Sequence, residues 1–266
     1  MTDKEQGYHR ILRFPKTRIA TNDVCAVGLE KHHIPALLEI DVTESRKKIK
    51  AYKREKGRIS FTAWLIKTIA ITISDHDQIA AYSAGRKKLV VFSDINVGLA
   101  VEKEIANQRV PIPLLIEKAQ ERSLESITLQ INEARNQEIN QKDIVLQKRS
   151  TMAERIYFML PGFIRRTIWR FMLRRPHMAF NRMGNVAVTS VGMIGRANGW
   201  FIPISVHPAC FGIGKISKKP VVADDRVEIR EILNLTVLLD HDVVDGALMA
   251  RFISALTKNI EKGTGL

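Results

Sequence analysis

The segment from Leu235 to Leu256 constrains the fold more than any other part of the chain. It opens with an apolar, strand-like run at 235–239, which leads into the heptapeptide DHDVVDG at 240–246. Apolar residues then recur at helical spacing, at Ala247, Ala250, Phe252, Ile253 and Leu256. The sequence therefore places His241 at a strand-to-helix corner, where a side chain is held rigidly and still reaches a ligand.

The chemistry of such a histidine is open at this level. A neutral imidazole accepts a proton near pH 7, so His241 is a candidate general base. A histidine flanked by Asp240 and Asp242 also fits a purely structural hydrogen-bonding role.

Helices and strands mix along the chain, and the second half is rich in strands, which predicts an α+β or α/β class. Strands are expected at Val24–Glu30, Ala36–Val42, Leu89–Phe92, Ile95–Val101, Val186–Thr189, Phe201–Ser205, Phe211–Ile216 and Ile229–Leu239. Helices are expected from the N-cap Thr43 toward Lys56, from Phe61 to about Ser74, from Leu124 to Gln137 behind the cap Ser123, and from Gly246 to Glu261.

Length and cysteine content narrow the class of protein. The 266 residues allow one large domain or two small ones. The two cysteines, Cys25 and Cys210, do not form a disulfide framework, which indicates a reducing compartment. The first ten residues lack a secretory signal, and the apolar run at 63–73 is too short to span a bilayer. We expect a soluble, cytoplasmic protein.

The positive charge is concentrated in one segment. The net charge is +14, and residues 142–182 contribute +8 of it. Within this segment Arg166, Arg170 and Arg174 fall on one helical face. The broad opposite side holds Ile164, Ile168, Phe171 and Met172, with Trp169 beside them. This basic amphipathic helix fits three roles: packing on its own protein, docking an acidic partner, or contacting an anionic membrane.

DHDVVDG resembles the His-X-X-X-Asp-Gly signature of the dihydrolipoyl acyltransferase catalytic domains of 2-oxo acid dehydrogenase complexes. Chloramphenicol acetyltransferases share that signature and fold. Further segments resemble the family in the same order: 32–43 (strand into helix), 59–73 (helix), 89–102 (paired strands), 110–131 (proline-bearing strand and capped helix) and 186–195 (Thr/Ser-Ser/Asn-X-Gly strand and turn).

The resemblance implies an α+β fold, with a mixed β-sheet flanked by helices as in chloramphenicol acetyltransferase. It implies a single catalytic domain over 1–266, interrupted by the basic insertion at about 142–182. It also implies a homotrimer with active sites in channels between subunits. Coenzyme A or acyl-CoA would enter a channel from one end as a substrate, and the acyl acceptor from the other.

The resemblance also assigns roles. His241 is the base that deprotonates the attacking thiol, and Thr189 is the hydroxyl that stabilises the oxyanion, with Ser190 as its rival. Asp245 supports the loop around the histidine, although Asp245 before Gly246 also fits a simple helix start. The implied reaction moves an acyl group between coenzyme A and a lipoyl-type thiol or a small-molecule acceptor. We expect no metal site, because the histidines and cysteines lack ligand spacing.

Several features depart from the family. Asp242 replaces the usual arginine after the histidine, and residues 107–111 replace a Gly-Leu-X-X-Pro approach. No lipoyl-bearing domain precedes the catalytic region, so we expect no covalently attached lipoyl group. A separate lipoyl or acyl-carrier protein would dock on the basic insertion, which could gate the acceptor side of the channel. The tail NIEKGTGL lacks an apolar anchor, which predicts a trimer that assembles no further.

These departures keep a second hypothesis open, a non-catalytic trimeric scaffold or regulatory protein built on the same fold. Nucleic-acid binding rests only on the net charge and the arginine helix, and the sequence does not favour it.

Overall fold

The computed structural model describes residues 16–85, 87–105, 108–136, 152–190, 198–223 and 225–266. The helices are α1 (Lys16–Gly28), α2 (Thr43–Glu55), α3 (Phe61–Ser74), α4 (Leu124–Asn136), α5 (Met152–Met159), α6 (Gly162–Leu173), α7 (Pro176–Met183) and α8 (Gly246–Lys262). The strands are β1 (His33–Asp41), β2 (Tyr82–Ser83), β3 (Leu89–Val90), β4 (Val97–Ile105), β5 (Gln108–Ile116), β6 (Val186–Ser190), β7 (Ala209–Ala223) and β8 (Arg226–Asp240).

Six of these strands form one mixed sheet in the order β1-β8-β7-β6-β4-β5. The pairs β6–β7 and β4–β6 are parallel, and the other three pairs are antiparallel. The remaining strands, β2 and β3, form a separate two-stranded ribbon. The predicted class, a mixed sheet flanked by helices, is therefore confirmed.

The core lies between this sheet and the helices α3 and α8. Strand β8 alternates in the manner of a pleated strand, so that Leu233, Leu235, Val237 and Leu239 enter the core with no exposed surface. From the helix side, Phe252, Leu256 and Ile260 of α8 meet them, together with nearly the whole of α3. This packing fixes the end of β8 and the start of α8, and with them the corner that carries His241.

Two predicted strands are absent. Residues 24–28 belong to helix α1, because a helical turn places Asp23 and Val27 on the same inward side. Residues 201–205 form no strand; they lie across the sheet, where a Cβ on Gly212 would sit 2.9 Å from the carbonyl oxygen of Phe201. In both places tertiary contacts override the local β-branched composition.

Two smaller expectations were also wrong. Thr43 is the first residue of α2 rather than its cap, because its hydroxyl accepts a hydrogen bond from the backbone N–H of Glu231 at 2.8 Å. The segments around β3 and β4 do not pair with each other, since β3 pairs with β2 and β4 with β5 and β6.

Other expectations were confirmed. Helix α3 spans Phe61–Ser74 as predicted, and Ser123 caps α4 by accepting from the N–H of Ser126 at 3.2 Å. The end predicted for that helix at Gln137 lies outside the described residues, as do 142–151 of the insertion and 191–195 of the turn after β6. Within the described part of the chain, every helix is too short or too polar to cross a bilayer.

Candidate active site

The backbone of His241 is fixed on both sides of the corner between β8 and α8. Its N–H donates to the carbonyl oxygen of His32 at 3.0 Å, and the N–H of Asp240 donates to that of Pro208 at 3.0 Å. The imidazole itself is exposed and has no hydrogen-bond partner among the described residues. A rigid backbone that carries a free ring suits a residue that exchanges protons with a bound molecule.

A buried ion pair beneath the histidine anchors this corner. The side chain of Asp240 is 1% exposed, and its Oδ2 lies 2.5 Å from Nζ of Lys31. Its Oδ1 also accepts the backbone N–H of Asp242 at 3.2 Å. Sequence reasoning missed this role, because the signal was only a carboxylate at the end of an apolar strand and its partner lies 209 residues away.

Asp242 turns toward His32. Its Oδ1 lies 2.9 Å from Nδ1 of His32, and both side chains are exposed. From the sequence, Asp242 is a departure from the arginine that the family usually has after the histidine. Among the described residues, its carboxylate contacts His32.

Asp245 caps helix α8. Its carboxylate accepts the backbone N–H of Leu248 at 2.8 Å, in the extended conformation typical of an N-cap. Such a cap is worth about 1 kcal/mol and fixes where the helix begins. Among the described residues, the carboxylate of Asp245 therefore contacts the backbone of α8 and not the imidazole of His241.

Thr189 lies far from His241 in the same chain. In the sheet, Thr189 is opposite Gly212, and Gly212 is opposite Thr236. His241 follows Thr236 by five residues along β8, two strands away from Thr189. With about 3.3 Å per residue and about 4.8 Å between strands, the two backbones are about 19 Å apart. One copy of the chain therefore does not bring the two side chains together.

The sheet also separates the two candidate hydroxyls. Val186 and Val188 are buried in the core, so Thr189 points to the opposite face of the sheet. Ser190, one residue further, points back toward the helical side. Thr189 thus shares its face with Thr236 and Asp240, the residue that precedes His241.

Two other histidines hold the neighbouring loops. His207 donates from Nε2 to the carbonyl oxygen of Met183 at 3.1 Å, and its Nδ1 lies 3.1 Å from the hydroxyl of Ser205. Burial lowers the pKa of His207 to about 4, and it also lowers the pKa of His33, whose Nε2 donates to the carbonyl oxygen of His207 at 2.9 Å. Both rings are neutral near pH 7 and tie three segments together behind the corner.

A sequence model of the family described as "2-oxoacid dehydrogenases acyltransferase (catalytic domain)" matches residues 30–145 and 179–266. Among curated relatives, the lipoamide acyltransferase component of the branched-chain alpha-keto acid dehydrogenase complex of Bacillus subtilis is 25% identical over 236 residues. That match covers 86% of this chain and 46% of the relative, so the chain spans less than half the length of that protein.

Solved structures share the fold. A probable dihydrolipoamide acetyltransferase from Listeria monocytogenes superposes with a TM-score of 0.69 at 23% identity, covering 96% of this chain and 95% of the other. The cubic core of a pyruvate dehydrogenase multienzyme complex gives 0.68 at 18% identity, covering 98% and 96%.

A third structure also reaches a TM-score of 0.68, at 17% identity with coverage of 98% and 96%. It is dihydrolipoamide acetyltransferase of Azotobacter vinelandii, from an investigation of the roles of one serine, one histidine and one asparagine in its catalytic mechanism. Those three residues have the same spacing along their chain as Thr189, His241 and Asp245 have here.

Proposed function

Because this chain belongs to the family of 2-oxoacid dehydrogenase acyltransferase catalytic domains, we propose that it transfers an acyl group between coenzyme A and a thiol acceptor of the lipoyl type. A small-molecule acceptor uses the same chemistry. The observation that carries the proposal is the exposed imidazole of His241, which is held on a rigid corner within the family's signature.

The proposed reaction needs no covalent acyl-enzyme. His241 takes the proton from the acceptor thiol, and the resulting thiolate attacks the carbonyl carbon of the acyl-CoA thioester. The carbonyl oxygen becomes an oxyanion, to which the hydroxyl of Thr189 donates a hydrogen bond. The tetrahedral intermediate then collapses, the bond to the sulfur of coenzyme A breaks, and the imidazolium returns its proton to that sulfur. The two substrates exchange the acyl group directly, so much of the rate enhancement comes from their proximity.

The separation of about 19 Å between His241 and Thr189 requires that the oxyanion donor come from a neighbouring copy. A homotrimer with each active site between two subunits, as the family resemblance implies, meets this requirement. The shared spacing of Thr189, His241 and Asp245 with the three residues studied in the Azotobacter enzyme supports the choice of Thr189 over Ser190.

The three aspartates around His241 position it. Asp240 holds the end of β8 through Lys31, Asp245 starts α8, and Asp242 holds the turn against His32. In this proposal none of them exchanges a proton with the substrate. Asp242 stands where the family usually has an arginine. In this proposal the difference gives the turn a contact with His32 and leaves His241 in place as the base.

The test is acyl transfer from acetyl-CoA or propionyl-CoA to dihydrolipoamide by the purified full chain. We expect His241→Ala to lower the rate by about a hundredfold or more, because a general base contributes about that much. The matched control is His177→Ala, which removes an exposed histidine of α7 away from the corner. Equal activity in both variants would remove His241 from the mechanism.

Binding of coenzyme A separates this proposal from the non-catalytic scaffold. A ligand that binds only the folded state raises the melting temperature. A shift with acyl-CoA in both the wild type and His241→Ala is the expected result. Wild-type protein with neither a shift nor transfer would favour the scaffold.

A further inference from the structure

Five large apolar side chains form an exposed surface on α5 and α6, which we name the α5–α6 apolar face. Its members are Ile156 (52% exposed), Met159 (84%), Phe163 (64%), Ile168 (45%) and Phe171 (50%). Helix α6 has no fully buried residue. Large apolar groups that cluster on one exposed surface mark a site of interaction.

A polar network on the other side of the two helices sets their orientation. Nε of Arg165 lies 2.6 Å from Oδ2 of Asp23 in α1, and the hydroxyl of Tyr157 donates to the same oxygen at 3.0 Å. The indole N–H of Trp169 donates to the hydroxyl of Tyr157 at 3.0 Å. Because Asp23 and Arg165 are both nearly buried, rotating α6 to hide its phenylalanines would break this ion pair.

The sequence left open whether the apolar side of α6 packs on its own protein. Ile164 and Met172 of that side are half-buried, whereas Ile168 and Phe171 are exposed. The orientation of the helix could not be derived from the sequence, since Asp23 is 142 residues from Arg165.

The surface around the α5–α6 apolar face is strongly basic. Residues 156–182 contain six arginines and no aspartate or glutamate. Arg170 pairs with Glu30 at 2.5 Å, and its hydrogen bond lowers the pKa of that carboxyl, helped by the positive charges of Arg170, Arg174 and Arg166. One carboxylate thus faces three guanidinium groups, and the surface keeps a net positive charge. The guanidinium of Arg175 lies 3.8 Å from the ring centre of Phe171, at the edge of the apolar face.

We infer that the α5–α6 apolar face docks the protein on an anionic lipid surface. The phenylalanines and Met159 enter the boundary between headgroups and acyl chains, and the arginines bind lipid phosphates. A lipid surface accepts exposed apolar groups and positive charge together. A nucleic acid would match the arginines but offer no apolar phase for Ile156, Met159 and Ile168 to enter.

The inference does not rest on the proposed function. The family sequence model matches residues 30–145 and 179–266, so the residues of the α5–α6 apolar face fall between the two matched ranges.

The experiment is sedimentation of the full chain with two kinds of vesicle, one of phosphatidylcholine alone and one of phosphatidylcholine with about 30% phosphatidylserine. We expect binding to the anionic vesicles that is at least about tenfold tighter than to the neutral ones. Phe163→Ser/Phe171→Ser and Arg166→Gln/Arg174→Gln should each weaken binding about tenfold or more, whereas Phe163→Leu/Phe171→Leu should retain it.

Matched control variants distinguish binding through this surface from nonspecific binding. Val222→Ser/Val227→Ser removes equally exposed apolar groups from the tip of the β7–β8 hairpin, and Lys50→Gln/Lys53→Gln removes two exposed charges from α2. Both should bind like the wild type, and unchanged melting temperatures would show that all variants fold.

Three results would overturn the inference: equal binding to neutral and anionic vesicles, equal loss in the control variants, or no vesicle binding at all. If vesicle binding is absent and the serine variant instead dissociates an oligomer in sedimentation velocity, the face is a contact between copies of this chain.

Discussion

Two inactive variants should restore each other if the active site is shared between copies. Thr189 and His241 lie about 19 Å apart in one chain, whereas a catalytic hydrogen bond spans about 3 Å. We therefore expect His241→Ala and Thr189→Ala to be inactive or weak alone and active when they assemble together. Removing an oxyanion donor alone lowers the rate about a hundredfold to a thousandfold.

The expected size of the rescue follows from ring geometry. In a ring of three, each site takes His241 from one subunit and Thr189 from the next. Any trimer that contains both variants then has one intact site. It lies where a Thr189→Ala subunit supplies His241 and the next subunit, a His241→Ala variant, supplies Thr189. A purified mixed trimer should show about one third of the wild-type rate.

The assay co-expresses the two variants with different affinity tags, isolates assemblies that carry both tags, and measures acyl transfer from acetyl-CoA to dihydrolipoamide. The control co-expresses His241→Ala with itself under the two tags and should remain inactive. If the mixed assemblies are no more active than the variants alone, Thr189 and His241 do not meet across a subunit boundary.

Three further predictions concern the corner and its support. Asp240→Asn should lower the free energy of unfolding by about 3 kcal/mol, measured by urea denaturation, because it leaves the largely buried ammonium of Lys31 without its counter-charge; an unchanged midpoint would contradict this. Asp245→Ala should lower the free energy of unfolding by about 1 kcal/mol, because the N–H of Leu248 loses its capping acceptor. Asp245→Ser, which keeps a capping oxygen, should retain most of that stability, and equal losses in the two variants would exclude the capping role. Because burial lowers the folded-state pKa of His207 to about 4, stability is full above the unfolded pKa of about 6.5 and falls as the pH drops from there toward 4. Between pH 7 and pH 4, the free energy of unfolding of a His207→Asn variant should fall by about 3 kcal/mol less than that of the wild type, as measured by thermal melts. If the two proteins lose stability equally over this range, another group is responsible for the pH dependence.

The sequence predicted the parts of the fold whose signals are local. Helix α3 and the unit of β8 and α8 appear where periodicity placed them, because each has its own apolar repeat and its own cap. The capping hydroxyl of Ser123 was found for the same reason. The family signature around His241 is also local, and the match to the acyltransferase catalytic domains confirms that resemblance.

The errors occur where a distant partner decides the outcome. Residues 24–28 have strand-like composition, yet they are helical, and Asp23 in the same helix binds Arg165 and Tyr157 from the far half of the chain. Residues 201–205 lie over the sheet, since the glycine at 212 lets their backbone approach closely.

The sequence by itself determined that this chain carries His241 at a strand-to-helix corner, within a signature that resembles the acyltransferase family. Only the tertiary structure decided that Thr189 faces away from the helical core, too far from His241 to act within one copy. It alone also decided that α6 turns Phe163 and Phe171 toward solvent. The physical reason is that periodicity along a chain specifies the kind of element, whereas its exposed face depends on partners that are remote in sequence.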